Sequence, residues 1–234
     1  MCTRLVYSRK NMITGFNFDI DFAVWKHRVL MDSERFYIGI MRPDGNYHSY
    51  HGVNRNGNVG TLLYVHGNTA ANFRDDAMCM TVADLTEQYI RGEITFDQAT
   101  ELVRTRKIVY APDATMQAML SDRLGRTLLI EPGIGFRQCQ ERFSVVTNYS
   151  LLNPESTKRY IVPGDDRYER AVQMLQAYQE GDFSVQDAFS VLYRVRQEGI
   201  WATRVTFVYS AAENAVYYLE NNQFDAIQKY TFPE

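Results

Sequence analysis

The chain has 234 residues, 45% of them hydrophobic, enough to bury a full core in one large domain over residues 1–234. Its formal net charge is −3, with charges scattered and no basic stripe, which excludes the usual nucleic-acid footprint. Aromatics make up 13%, with 16 Tyr and 13 Phe, which favours a strand-rich protein with a lined cavity over a helical bundle.

In chain order, residues 1–65 read as strands with tight connections. Leu5-Val6-Tyr7 and Thr14–Asp19 flank the polar link Ser8-Arg9-Lys10-Asn11. Phe36–Ile40 and Tyr47–Tyr50 flank Arg42-Pro43-Asp44-Gly45-Asn46, whose Pro and Asp-Gly are strong turn formers. Asn54-Arg55-Asn56-Gly57 is a second turn into Val59–Val65, and together these segments predict an antiparallel meander.

The middle turns helical. Val82–Arg91 carries an apolar stripe at Val82, Leu85, Tyr89 and Ile90 and stops at Gly92. Thr95 caps Phe96–Arg106, with Phe96, Ala99, Leu102 and Val103 at helical spacing and Arg104-Thr105-Arg106-Lys107 as its basic end. Ala111-Pro112-Asp113 breaks that pattern ahead of a hairpin, Met116–Ser121 and Thr127–Glu131 around Asp122–Gly125. Phe143–Thr147 is a further strand. Pro163-Gly164-Asp165-Asp166 feeds a helix over about Arg167–Glu180, closed by Gly181. Ser184 and Asp187 make a capping-box-like start for another, to about Glu198. Arg204–Tyr209, Ala215–Leu219 and a strand around Phe224–Tyr230 end the chain. Strand runs segregated from helix pairs predict an α+β fold with antiparallel sheets, and helices covering two stacked sheets would satisfy the order.

No apolar stretch reaches the roughly 18–20 residues that span a bilayer, and the N-terminus lacks a secretory pattern. Three cysteines, Cys2, Cys79 and Cys139, form no C-x-x-C pair and no even framework. The cytoplasm is therefore the expected compartment, with Cys79 and Cys139 as buried thiols. Of four histidines only His48 and His51 are close in sequence, and no Cys/His/Asp set matches zinc spacing, so both are read as exposed hairpin residues and no metal is expected. Gly133-Ile134-Gly135 reads as a hairpin turn rather than a dinucleotide loop.

Cys2 directly follows Met1. Removing Met1 would give one residue both a thiol and the free α-amine, with ordinary pKa values of about 8.5 and about 7.7–8.0. Proton exchange between them near neutral pH is then cheap, and the thiolate is the reactive form. A nucleophile served by its own N-terminal amine is a recognised route to amide-bond chemistry.

An ordered set of motifs follows that cysteine. Cys2-Thr3, Gly15-Phe16-Asn17-Phe18-Asp19, Val53-Asn54-Arg55-Asn56-Gly57, Ser121-Asp122-Arg123-Leu124-Gly125-Arg126, Ile130-Glu131 and Val146-Thr147-Asn148 come first. Pro163-Gly164-Asp165-Asp166-Arg167-Tyr168-Glu169-Arg170-Ala171 and Tyr217-Tyr218-Leu219-Glu220-Asn221-Asn222-Gln223 continue it. Together they resemble the choloylglycine hydrolase family, which includes penicillin V acylases and conjugated bile acid hydrolases, over essentially the whole chain.

The resemblance implies an N-terminal nucleophile hydrolase with a four-layer αββα sandwich and no cofactor. Its activity would be cleavage of a linear, small-molecule acyl amide through a thioester on Cys2. In it Asp19 would hold the amine and thiol in register, Asn148 and the Tyr64 backbone N–H would meet the oxyanion, and Arg167 would support the thiolate. Phe16 stands where the family carries an arginine, which removes a fixed charge and its hydrogen-bond fork. Activation would then rest on Arg167 and the α-amine. Phe16, Phe18, Phe22 and Trp25 are the expected acyl-pocket residues beside Tyr64. The same thioester passed to an amine would make an acyltransferase, and catalysis lost with Phe16 would leave a ligand-binding homologue. A homo-oligomer is compatible with all of these.

Overall fold

A computed structural model of the chain describes residues 1–178 and 183–233. Its first half runs β1 (Cys2–Ser8), β2 (Met12–Asp19), β3 (His27–Met31), β4 (Arg35–Met41), β5 (Tyr47–Asn54), β6 (Val59–Tyr64), β7 (Cys79–Thr81), α1 (Val82–Ile90), α2 (Phe96–Thr105) and β8 (Lys107–Val109). The second half runs β9 (Met116–Ser121), β10 (Thr127–Glu131), β11 (Gly135–Cys139), β12 (Phe143–Val146), α3 (Pro154–Thr157), α4 (Arg167–Ala177), α5 (Val185–Arg194), β13 (Thr203–Ser210), β14 (Ala215–Glu220) and β15 (Gln228–Thr231). One sheet has the order β12-β1-β2-β13-β14-β15 and the other β11-β10-β9-β6-β5-β4-β3. Neighbours in both are antiparallel.

Why the sheets stack is written in β2, where all eight residues are buried. Phe16 and Phe18 point into the core between the sheets. Ile13 joins the layer under α4 and α5, and Asn17 on the same face donates from Nδ2 to the Leu192 carbonyl of α5 (2.9 Å). Gly15 lies between them, and a Cβ there would sit 2.7 Å from Leu192 Cδ1, so glycine lets the helix approach this closely. On the outer face of the second sheet, α1 and α2 bury Leu85, Tyr89, Phe96 and Ala99 against Leu62, Leu120 and Leu128. Helix, sheet, sheet, helix is therefore the layer order. Arg4 is fully buried between the sheets, donating to Thr14 Oγ1 and to Ser121 Oγ (2.9 Å), and so ties β1 to β9.

Local signals set most element ends. Thr95 and Gln98, and Ser184 and Asp187, form reciprocal capping boxes at α2 and α5. Gly57 closes the turn after β5 at φ +81°, with its N–H on the Asn54 carbonyl (2.9 Å).

Several expectations need correction. β3 and β11 carried no helical or strand pattern of note, because they are the two edges of their sheet and present polar residues to solvent. Gly133 lies in the turn that joins β10 to β11, as read, while Gly135 already begins β11. β7 and β8 form a short parallel pair, which the α1–α2 crossover permits. α5 stops at Arg194 rather than near Glu198, since the Gln197 N–H turns to Thr203 Oγ1 (2.9 Å). The last strand begins only at Gln228, after a turn in which Ala226 N–H donates to the Gln223 carbonyl (2.9 Å). α4 is described to Ala177; Glu180 and Gly181 lie outside the described residues. Cys79 and Cys139 are half-buried free thiols rather than buried ones.

Phe207 of β13 is fully buried against Phe16 and Phe36 at the centre of the inter-sheet core. Phe207→Ala is expected to lower unfolding free energy by about 3–5 kcal/mol, read from denaturant midpoints at unchanged m-value.

Candidate active site

Cys2 opens β1, pairs across to Phe18 of β2, and is buried. Its backbone N–H donates to Asn148 Oδ1 (2.7 Å), just beyond the end of β12. Asn148 Nδ2 donates in turn to the Tyr64 carbonyl at the end of β6 (2.7 Å), so the amide's orientation is fixed from both ends. Arg167, first residue of α4, reaches in from the helix layer. Its Nη1 donates to the Cys2 carbonyl (3.1 Å) and faces Asp19 Oδ2 (3.5 Å), and its Nη2 donates to Asn148 Oδ1 (3.1 Å). Nε and Nη2 also grip both carboxylate oxygens of Asp165 (2.8 and 2.7 Å). Asp19 closes the ring: its Oδ1 accepts from Thr203 Oγ1 (2.6 Å) and its carbonyl lies 3.9 Å from Cys2 Sγ. Cys2, Asp19, Asn148 and Arg167 thus converge.

Tyr64 joins them through its main chain. Val65 N–H donates to the Thr115 carbonyl (3.1 Å), which makes Tyr64 and Met116 a non-hydrogen-bonded pair of the antiparallel ladder. Both main-chain groups of Tyr64 therefore point away from β9. On that side the β5 pairing ends at His51 and Thr61. The Tyr64 carbonyl there holds Asn148, and the Tyr64 N–H points the same way, beside the Asn148 amide. The Tyr64 ring is half exposed.

Burial dominates the protonation of the cluster. It pushes the Cys2 thiol up to about 11, against the opposing pull of the N-terminal ammonium. It pushes the Asp19 carboxyl up to about 7, opposed by that ammonium, the Thr203 hydrogen bond and Arg167. Burial works against Asp165 as well, but the hydrogen bonds from Arg167 and Tyr149 outweigh it and hold its carboxyl below the usual range. With Met1 in place its ammonium donates to the Asp19 carbonyl (2.8 Å).

A cavity of about 1050 Å³ opens on this cluster, with Met1, Cys2, Asp19 and Tyr64 in its wall. Its lining is mostly apolar. Phe18 and Trp25 stand on it, as does Trp201, while Phe16 and Phe22 do not. Phe16 is fully buried behind the wall, stacked on His51 (5.2 Å), because it shares the inter-sheet face of β2 with Phe18 one pleat further in. Phe22 lies outside, half exposed between His27 (5.4 Å) and the Arg204 guanidinium (4.0 Å). Neither histidine of the β4–β5 hairpin is the exposed residue expected. His51 is buried on the cavity wall, and His48 is half-buried between Glu87 Oε2 (2.8 Å) and Asp44 Oδ2 (2.9 Å). Among the described residues no three His, Cys, Asp or Glu side chains gather as a metal site.

Three supporting residues carried no assigned role in the sequence. Asp165 sits inside the Pro-Gly-Asp-Asp run, which reads as a helix entry and as part of the motif set but with no role for this residue. Glu131 accepts from the Leu151 and Leu152 N–H groups (2.7 and 3.2 Å) and from Ser150 Oγ, pinning the turn that follows Asn148. Thr203 has no motif around it and is found only through the β2–β13 pairing.

No protein-family model matches the sequence, and no curated protein does. Solved structures do. A cysteine-to-alanine mutant of conjugated bile acid hydrolase from Clostridium perfringens aligns over 100% of this chain and 97% of its own, with TM-score 0.72 and 14% identity. Penicillin V acylase from Agrobacterium tumefaciens aligns over 97% and 90%, with TM-score 0.67 and 16% identity. The Caenorhabditis elegans N-acylethanolamine-hydrolyzing acid amidase ortholog aligns over 90% and 93%, at 0.60 and 16%. The chain has the N-terminal nucleophile hydrolase fold. Its two antiparallel sheets with helices outside them are the αββα arrangement that the resemblance implied. No helix among the described residues is long and apolar enough to cross a membrane.

Because the Asp19 carboxyl is raised in the folded Met1-bearing chain, the folded state binds the extra proton between about pH 4 and pH 7. The stability this gives is fully present below the unfolded pKa and is lost as pH rises through about 7. Asp19→Asn, which cannot ionise, should escape that loss. Urea midpoints of the two proteins from pH 4 to pH 8 should show the parent falling relative to the variant, and parallel curves would contradict the assignment.

Proposed function

We propose that this chain is a cysteine-type amidohydrolase, one catalytic unit over residues 1–234, that cleaves a linear acyl amide through a thioester on Cys2 once Met1 is removed. The observation that carries the reading is the convergence of Cys2, Asp19, Asn148, Arg167 and the Tyr64 main chain, with Cys2, Asp19 and Tyr64 standing in the wall of an apolar cavity. Free thiols at all three cysteines fit a cytoplasmic setting.

With Met1 present the thiol is held neutral by burial, and the Met1 ammonium takes up the Asp19 carbonyl. Removing Met1 converts the Cys2 N–H, already on Asn148 Oδ1, into the α-amine. That amine accepts the thiol proton, and the thiolate attacks the amide carbonyl carbon. Charge passes to the carbonyl oxygen, which the Tyr64 N–H and the remaining Asn148 Nδ2 hydrogen meet. The tetrahedral adduct collapses by breaking the C–N bond, and the α-ammonium hands its proton to the leaving amine. A thioester remains. Water, deprotonated by the same amine, then attacks it, releasing the acid and restoring the thiol. Arg167 orients Cys2 and Asn148 rather than touching Sγ: its bonds go to the Cys2 carbonyl and the Asn148 side chain. Position 16 supplies no cation, since Phe16 is core.

The apolar wall at Phe18, Trp25 and Trp201 suits an apolar acyl group. Intact mass should show Met1 absent, and Cys2→Ala should abolish both turnover of acyl amides and acyl-adduct formation at residue 2. Turnover that survives Cys2→Ala would sink the mechanism. Asn148→Ala is expected to reduce kcat about 10²–10³-fold with a much smaller effect on KM, as for loss of an oxyanion donor. A fall confined to KM would remove Asn148 from that role.

A further inference from the structure

β6 ends at an edge that β5 has left, and two of its N–H groups point there. Tyr64 is one. The other, Leu62 N–H, donates to the side chain of His51, at Nδ1 (3.2 Å), instead of to a main-chain carbonyl. That single bond decides the imidazole's tautomer: Nδ1 accepts, so in the neutral ring Nε2 carries the hydrogen. The ring is neutral, since burial, aided by His27, pulls His51 down to about 3. It is also held in place, stacked on Phe16 at 5.2 Å and tilted against Phe18 at 5.0 Å. His51 lies on the wall of the same cavity as Cys2, and its Nε2 has no hydrogen-bond partner among the described residues. Nε2–H is thus a fixed donor on a mostly apolar wall, free to meet an acceptor carried by a bound ligand.

We propose that His51 is a specificity-determining residue, whose Nε2–H donates to an oxygen on the acyl chain of the substrate. This rests on the amidohydrolase reading and names its substrate class: apolar acyl amides bearing one hydrogen-bond acceptor, an ether, keto or hydroxyl oxygen, within a few bonds of the scissile carbonyl. The spacing follows from β6. Leu62, which holds His51, is two residues from Tyr64, about 7 Å along a strand. Phe16 then acquires a place in the site at one remove, as the aromatic surface that fixes this donor.

The test is a series of octanoyl p-nitroanilides in which one chain methylene at a time is replaced by an ether oxygen. Turnover is measured with the Met1-free protein and binding by calorimetry with the Cys2→Ala protein. One oxygen position near the carbonyl should exceed the all-carbon parent about five- to tenfold, the size of one neutral hydrogen bond. His51→Asn keeps an acceptor for Leu62 N–H but places no donor at Nε2. The ratio within the series should then collapse towards one, whatever that variant's absolute activity. If no anilide is turned over yet the binding preference appears and depends on His51, the amidase reading fails and this inference stands. A flat binding series in the Cys2→Ala protein overturns the inference even where turnover is normal. Nitrogen-15 spectra of the unmutated protein give a check that needs no variant to fold. His51 should carry its proton on Nε2 without titrating between pH 5 and pH 8, and an Nδ1–H tautomer or a titrating ring overturns the assignment.

Discussion

The structure around Cys2 depends on one buried guanidinium. Arg167 directs its donors to the Cys2 carbonyl, Asp19, Asn148 and both oxygens of Asp165. It thereby joins the first residue of β1, the last of β2, the turn after β12 and the start of α4. A charge this deeply placed is tolerable only while every partner is present, and removing one member of such an arrangement costs about 3–5 kcal/mol. The same bonds that make the cation tolerable fix the Cys2 main chain and turn the Asn148 amide. Stability and geometry at this site are one property. A lysine could supply the charge but not the planar fork that reaches four residues at once.

The two sheets hold the ring from opposite sides. Cys2, Asp19, Asn148 and Thr203 belong to the sheet of β1 and β2 or to its connections, whereas Tyr64 and His51 belong to the other. Asn148 bridges them through the Tyr64 carbonyl, and Arg4 bridges them again further into the core. Where β5 leaves β6, the second sheet opens an edge of main-chain donors onto the cavity. Tertiary structure has spent one of these on a histidine and left the other beside Asn148. The proposed oxyanion site and the proposed acyl selection are thus two uses of the same break in strand pairing.

Legibility from sequence followed periodicity. The capped helices, the Asn54–Gly57 turn and the central strands were readable, because caps, glycines and apolar alternation act within a few residues. Edge strands β3 and β11 were not, since polar edge residues dilute the alternation. The aromatic residues show the limit most plainly. Phe16, Phe18 and Phe22 alternate along one short segment and looked equivalent, yet they are respectively core, cavity wall and half-exposed outer surface.

The sequence by itself determined the α+β class with antiparallel sheets, through strand runs separated by amphipathic helix pairs, while the αββα layer order came from the resemblance, which also set Cys2, Asp19, Asn148 and Arg167 in one order. Only the tertiary structure decided which partners those residues take. Asp165 rather than Asp166 or Glu169 grips Arg167, Thr203 reaches Asp19 from a strand 184 residues away, and His51 turns inward from a hairpin that reads as solvent-facing. The physical reason is that periodicity reports which face a residue is on, within its own element. Hydrogen-bond partners, desolvation and the protonation they impose come from elements far apart in the chain, and exist only once the two sheets have packed.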